Sequence, residues 1–157
     1  MNIGFRRWGY LVTLRVSRYG PISGVHSNLA DGKHFFMADF DGSTFEAVRD
    51  ACRFLQRRLK LSTVTIVQTS EGNHYHAYSM TRLSWGKLVG AWLDTPEVDQ
   101  QWVKLSVMRC YGTLRYSKRD ETALRAVERI PSPYGVYKPN VSVVEITNFS
   151  TLAGRVK

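Results

Sequence analysis

The run Phe35-Phe36-Met37-Ala38-Asp39-Phe40-Asp41-Gly42 ends an apolar stretch with two carboxylates two residues apart. On a strand, residues i and i+2 project from the same face. Two carboxylates that close repel each other, and a hard divalent cation such as Mg2+ or Mn2+ relieves the repulsion through oxygen ligands. The apolar residues before the acids anchor the strand in a core, so Asp39 and Asp41 emerge at its end. The same residues also fit an exposed strand end followed by an Asp-Gly turn.

Two further segments carry polar chemistry. In Thr69-Ser70-Glu71-Gly72-Asn73-His74-Tyr75-His76-Ala77-Tyr78, a Ser/Gly turn can offer backbone amides to a phosphate. His74 and His76, again at i and i+2, can donate to phosphate oxygens or ligate a metal, or simply lie on a surface. In the third segment, Glu97-Val98-Asp99-Gln100 is trailed by Arg109-Cys110-Tyr111-Gly112-Thr113-Leu114-Arg115-Tyr116-Ser117-Lys118-Arg119. Arg and aromatic residues alternating on a strand can grip phosphates and stack on bases. They equally describe a basic edge strand kept soluble by its charges.

The elements that must position these groups follow from periodicity. Tyr10 to Ser17 alternates apolar and polar and reads as a strand, and residues 18–33, rich in Gly, Pro, Asn and Asp, read as a loop or two hairpin turns. His34 to Asp41 is the strand that carries the acids. Ser43-Thr44-Phe45-Glu46 has the form of a capping box with Ser43 at the cap. Phe45, Val48, Cys52, Leu55 and Leu59 recur at helical spacing, while Arg49, Arg53, Arg57, Arg58 and Lys60 read as a solvated face in preference to a binding stripe. Thr63 to Thr69 and Tyr75 to Met80 read as strands around the turn. Leu83 to Leu93 has helical spacing weakened by Gly86 and Gly90. Val98 to Tyr116 reads as β-rich, Asp120 to Ile130 as a helix closed by prolines, and Val141 to Thr147 as a last strand. This order is an α+β layout, helices packed on a mostly antiparallel sheet.

Composition narrows the partners. Lys and Arg number 22 against 13 Asp and Glu, a formal charge of +9. Arg dominates the cations and suits bidentate phosphate contacts, so a nucleic acid is the expected partner. At 157 residues the chain reads as a single domain over 1–157. Cys52 and Cys110 form no CxxC pair, which argues against a zinc knuckle or a disulfide scaffold. No signal peptide and no apolar run near the ~20 residues of a membrane helix are present. The expectation is a soluble cytoplasmic protein (or one of the host-cell cytoplasm, for a plasmid- or virus-encoded chain) without a membrane partner.

Taken in order, the Asp39-Phe40-Asp41 pair, the Ser70 turn with its histidines, and Val98-Asp99 with its basic segment resemble the archaeo-eukaryotic primase superfamily. The resemblance covers residues 34–119 and rests on short motifs. It implies an RRM-like primase catalytic core and a template-directed nucleotidyltransferase, a DNA primase or primase-polymerase of replication or repair. Asp39, Asp41 and Asp99 would hold Mg2+ or Mn2+. Ser70, His74 and His76 would meet the incoming nucleoside triphosphate, with His76 or His74 as the functional histidine. Arg109, Arg115 and Lys118 would hold phosphate of nucleotide or template. The implied partners are single-stranded or primed DNA template and a helicase or other replication protein. The family chemistry places two divalent ions about 3.5–4 Å apart, activating a 3′-hydroxyl and stabilising the departing pyrophosphate. The chain departs from the family in being short and in lacking a zinc module and a helical accessory domain.

His74-Tyr75-His76 also has the His-hydrophobic-His form of rolling-circle initiators and relaxases, which nick single-stranded DNA with a Tyr nucleophile. Tyr111 or Tyr116 would then be the nucleophile, but Gly112 and Thr113 disfavour the helix that normally carries it, and Asp39 and Asp41 stay unexplained. A third reading is a non-catalytic nucleic-acid-binding sheet on which Phe35, Tyr75 and Tyr78 stack bases.

Overall fold

The computed structural model describes residues 2–7, 10–15, 23–70, 72–115, 124–134 and 149–151. The elements run β1 (Asn2–Arg7), β2 (Tyr10–Arg15), β3 (Ser23–His26), β4 (His34–Asp41), α1 (Phe45–Leu59), β5 (Val64–Gln68) and β6 (His74–Leu83). They continue as α2 (Trp85–Leu93), α3 (Gln100–Arg109), β7 (Thr113–Arg115), β8 (Arg125–Ile130) and β9 (Phe149–Thr151). Strands pair antiparallel throughout, in the orders β1-β2, β7-β3-β9 and β4-β6-β5-β8, which bears out the α+β expectation.

The four-stranded sheet holds the core. Alternation in β4 and β6 sends Phe36, Ala38 and Phe40, with Tyr75 and Ala77, to one face. There they meet Val48, Cys52 and Leu55, the apolar stripe of α1. The helix starts at Thr44, whose hydroxyl accepts from the Ala47 amide, rather than at Ser43 as the capping-box pattern suggested. Gln56, buried in this layer, donates to the Ser62 and Ile130 carbonyls and so ties α1 to the start of β5 and the end of β8.

β4 is an edge strand, and three of its outward backbone groups are bonded to other segments. The Phe35 amide donates to the Ser27 carbonyl, the Trp92 indole donates to the Met37 carbonyl at 2.7 Å, and the Asp99 amide donates to the Asp39 carbonyl at 2.9 Å. Trp85, Trp92 and Trp102 stack edge to face along this side. Gly112 sits against them: a Cβ there would lie 3.1 Å from both Trp92 and Trp102 and 3.2 Å from the Met37 sulfur.

Several sequence expectations are corrected. Residues 100–109, read as β-rich, form helix α3, because Asp99 caps it and Val103 and Ser106 bury one side while Gly112 turns the chain into the short β7. Residues 125–130, read as helical, form β8, since β5 offers them a complete pairing edge that outweighs local propensity. The loop read over 18–33 contains β3, paired to β7 and β9. The strand read over 141–147 and residues 120–123 lie outside the described residues. Among the described residues no helix is long and apolar enough to cross a membrane.

Two glycine substitutions test this packing. Gly112→Ala should destabilise the protein by about 1–3 kcal/mol, because the indole rims it meets are pinned by hydrogen bonds. Gly90→Ala, on an open helix face with nothing within 4 Å of the added carbon, should instead stabilise by about 0.5–1 kcal/mol. Urea denaturation of both variants measures the contrast, and loss of stability in both would refute it.

Candidate functional site

The register of β4 on β6 sets Asp39 opposite His76 and Asp41 opposite His74, on the face away from α1. Cross-strand neighbours lie within side-chain reach. The His74 Nδ1 contacts the Asp41 carboxylate at the exposed rim, and the His76 Nε2 lies 3.5 Å from Asp39 Oδ1 in a buried position. His76 Nδ1 is 3.2 Å from the Tyr78 hydroxyl, so both ring nitrogens are engaged.

A cleft of about 250 Å3 opens over these pairs, lined by Asp39, Asp41, Ser70, His74 and His76 on one side. Arg109, Thr113 and Arg115 close the other side, with Thr69 beside Ser70. Thr69 and Ser70 belong to the β5–β6 turn, where the Thr69 amide donates to the His74 carbonyl and Gly72 takes a positive φ of 84°. Thr113 and Arg115 alternate with the buried Leu114 on β7, and the Trp102 indole holds the Thr113 carbonyl at 2.7 Å. Thr113 also meets His26 Nδ1 at 2.8 Å, and burial, then the Arg109 charge, lowers the His26 pKa.

Seven sequence-predicted residues (Asp39, Asp41, Ser70, His74, His76, Arg109 and Arg115) thus share one cleft. Asp99 is brought beside Asp39 by the backbone bond between them, but its carboxylate accepts from the Gln101 amide as the cap of α3 and does not line the cleft. Tyr111 packs edge-on against His26, outside the lining. Lys118 and Tyr116 lie outside the described residues. Thr69 and Thr113 were not singled out in the sequence. Thr113 was findable as the residue two before Arg115 on the same strand face.

The electrostatics suit a cation. Burial raises the Asp39 carboxyl to about 7, with the Asp99 and Asp41 charges adding to it. Among the described residues no three His, Cys, Asp or Glu side chains close on one point. Two neighbouring carboxylates still fit Mg2+ or Mn2+, because Mg2+ keeps several waters and takes one or two carboxylates together with substrate phosphates.

The same pair makes a test in the absence of metal. Asp39, raised from 3.8 to about 7, favours its protonated form in the fold, so its stabilising share is lost as pH rises across that span. His76, lowered by burial and then by Arg115 from 6.5 to about 4, favours its neutral form, so its share is lost as pH falls across that span. Between pH 4 and 6.5 folding adds a proton to one and removes it from the other, and the two slopes cancel. His76→Gln should therefore make stability fall with rising pH, and Asp39→Asn should make it rise, each with a limiting slope of about 1.4 kcal/mol per pH unit. Urea titrations in chelator would show it; slopes of the same sign would sink the assignment. No family model, curated protein or solved structure matches this chain, so the chemistry of this cleft is the ground for a functional reading.

Proposed function

We propose that the protein is a template-directed nucleotidyltransferase acting on DNA, with Mg2+ or Mn2+ as cofactor. One observation carries the reading. The Asp39–Asp41 pair, Arg109, Arg115 and the Ser70 turn line a single cleft. A nucleoside triphosphate needs both sides at once, a cation held by carboxylates and direct cationic contacts to its phosphates.

In this reading Asp39 and Asp41 hold the divalent ion, and Asp99 adds negative potential from its cap position beside Asp39. A divalent ion held there would supply charge neutralisation at the triphosphate and a lowered pKa at the attacking hydroxyl. Arg115, close enough to shift both Asp39 and His76, and Arg109 bind phosphate oxygens from the opposite wall. His76 donates from Nε2 to phosphate while the Tyr78 hydroxyl holds its Nδ1. Ser70 and the turn amides take the distal phosphates. The template strand and any helicase or other replication partner belong to the same proposal, supported by the +9 charge.

The test is incorporation of labelled nucleotide on a primed template with Mn2+. Asp39→Ala should abolish incorporation while the protein stays folded. Arg115→Ala should lower it by ~10-fold or more, on ~1.5–3 kcal/mol for a charge-assisted contact, whereas Arg57→Ala, on the outer face of α1, should change little. Tyr111→Phe should leave extension intact. A covalent protein–DNA adduct that disappears in Tyr111→Phe would replace this reading with Tyr-dependent nicking.

A further inference from the structure

A second concavity, about 520 Å3, lies between the C-terminal end of α1 and the exposed side of α2. Arg58, Lys60 and Lys87 line it, and Gly86 and Gly90 lie one helical turn apart along it. It sits at the Leu83 end of β6, whereas the cleft of Asp39 sits at the His74 end of the same strand.

Three positions on this groove carry residues that local physics disfavours. Gly86 and Gly90 interrupt a nine-residue helix, yet a Cβ at either would meet nothing within 4 Å, so packing does not require them. Lys60 occupies a left-handed conformation, φ 53°, at the end of α1, where glycine is the unstrained choice. Gly112, by contrast, is explained by the indoles against it. The left-handed turn itself closes α1, through the Lys60 and Leu61 amides on the Gln56 carbonyl, and Cys110 takes the same conformation at the end of α3, so at Lys60 it is the choice of a cation over glycine, beside two unpacked glycines, that points to a use for this surface.

What the three share is the groove. The glycines leave helix backbone open to close approach, and Lys60 joins Arg58 and Lys87 around it. Asp94 at its edge pairs with Arg58 and offsets one of the three charges. The first turn of α2 carries no acid, and Ser84 makes no side-chain cap, so that helix end also favours an anion. A volume of this class holds a ligand the size of one or two nucleotides rather than a turn of duplex.

We propose that the groove between α1 and α2 binds the phosphate backbone of a single nucleic-acid strand. The proposal does not depend on chemistry at Asp39 and can be measured in the Asp39→Ala background.

The experiment is a fluorescence-anisotropy titration of the full chain with labelled oligothymidylate over a range of salt. Lys60→Glu/Lys87→Glu should bind about tenfold more weakly at low salt and flatten the salt slope by about 1.4, for two phosphate contacts at ~0.7 each. Lys33→Glu/Lys104→Glu, with the same change in net charge on exposed sites elsewhere, should retain most of the slope. Lys60→Gly and Gly86→Ala/Gly90→Ala should raise the unfolding midpoint and yet weaken strand binding, which loss of structure cannot do. Equal slope changes in the two charge pairs would overturn the groove in favour of diffuse charge. Stronger loss with duplex DNA, or equal loss with inorganic triphosphate, would overturn a single strand as its occupant.

Discussion

The arrangement depends on how the outer edge of β4 is satisfied. An edge strand presents a row of unpaired carbonyls and amides, and leaving them bare costs free energy or invites pairing with another chain. Here three different segments dock on that row: Ser27 at Phe35, Trp92 at Met37 and Asp99 at Asp39. Each dock places something the cleft uses. Ser27 also accepts from the Gly112 amide and donates its own amide to the Gly112 carbonyl, which fixes the entry to β7 and hence Thr113 and Arg115. Trp92 packs on Trp102, which holds the Thr113 carbonyl. The Asp99 amide brings a third acid next to Asp39.

Charge is distributed with the same logic. A chain of net +9 concentrates acids where β4 ends and sets arginines across from them, so the cleft carries both signs within one small volume. Cross-strand pairing with histidines lets the acids persist without a cation. His76 stays neutral beside Asp39, because burial and Arg115 both oppose its charge, and Asp39 is itself pushed towards the protonated form. Near neutral pH the Asp39 carboxyl is therefore only partly ionised, which lessens the repulsion among the acids at the end of β4.

Much of this was legible in the sequence where local and tertiary preferences agree. Helix α1 shows a clean period of 3.6 because it buries one face, and the acid strand shows a continuous apolar run because both of its faces are covered until Asp39. Helix α3 was not legible. It buries little beyond Val103 and Ser106, leaves Leu105, Val107 and Met108 exposed, and so offers no stripe to read among its β-branched and aromatic residues. β8 has the composition of a helix, Arg-Ala-Val-Glu-Arg-Ile, and is a strand only because β5 has a free side. The Asp and His pairs of the cleft were found because they sit at i, i+2 spacing on strands, where the face follows from the sequence alone. Asp99 shows the limit. Its type and position before Gln100-Gln101 fit an N-cap as well as a ligand, and the choice lay in the helix that periodicity had hidden.

The two ends of β6 then bear on each other. A ten-residue strand inside a sheet is stiff, so the separation between the Asp39 cleft and the basic groove is set by the fold and not by a loop. The residue choices at the two ends differ. At the cleft, Gly72 takes the positive φ that glycine accepts without strain and Gly112 is demanded by the indoles, while Cys110, next to Arg109, holds a left-handed φ of 62° as the cap of α3. At the groove, backbone preference is overridden at Lys60, Gly86 and Gly90, and stability is given up for an open, cationic surface. Chemistry at a fixed metal needs the first kind of site, since placement within fractions of an ångström decides the rate. Holding a repeating anionic backbone needs only the second, where charge and clearance matter and register does not. The proposed nucleotide transfer and strand holding would therefore place different demands on the two ends of β6.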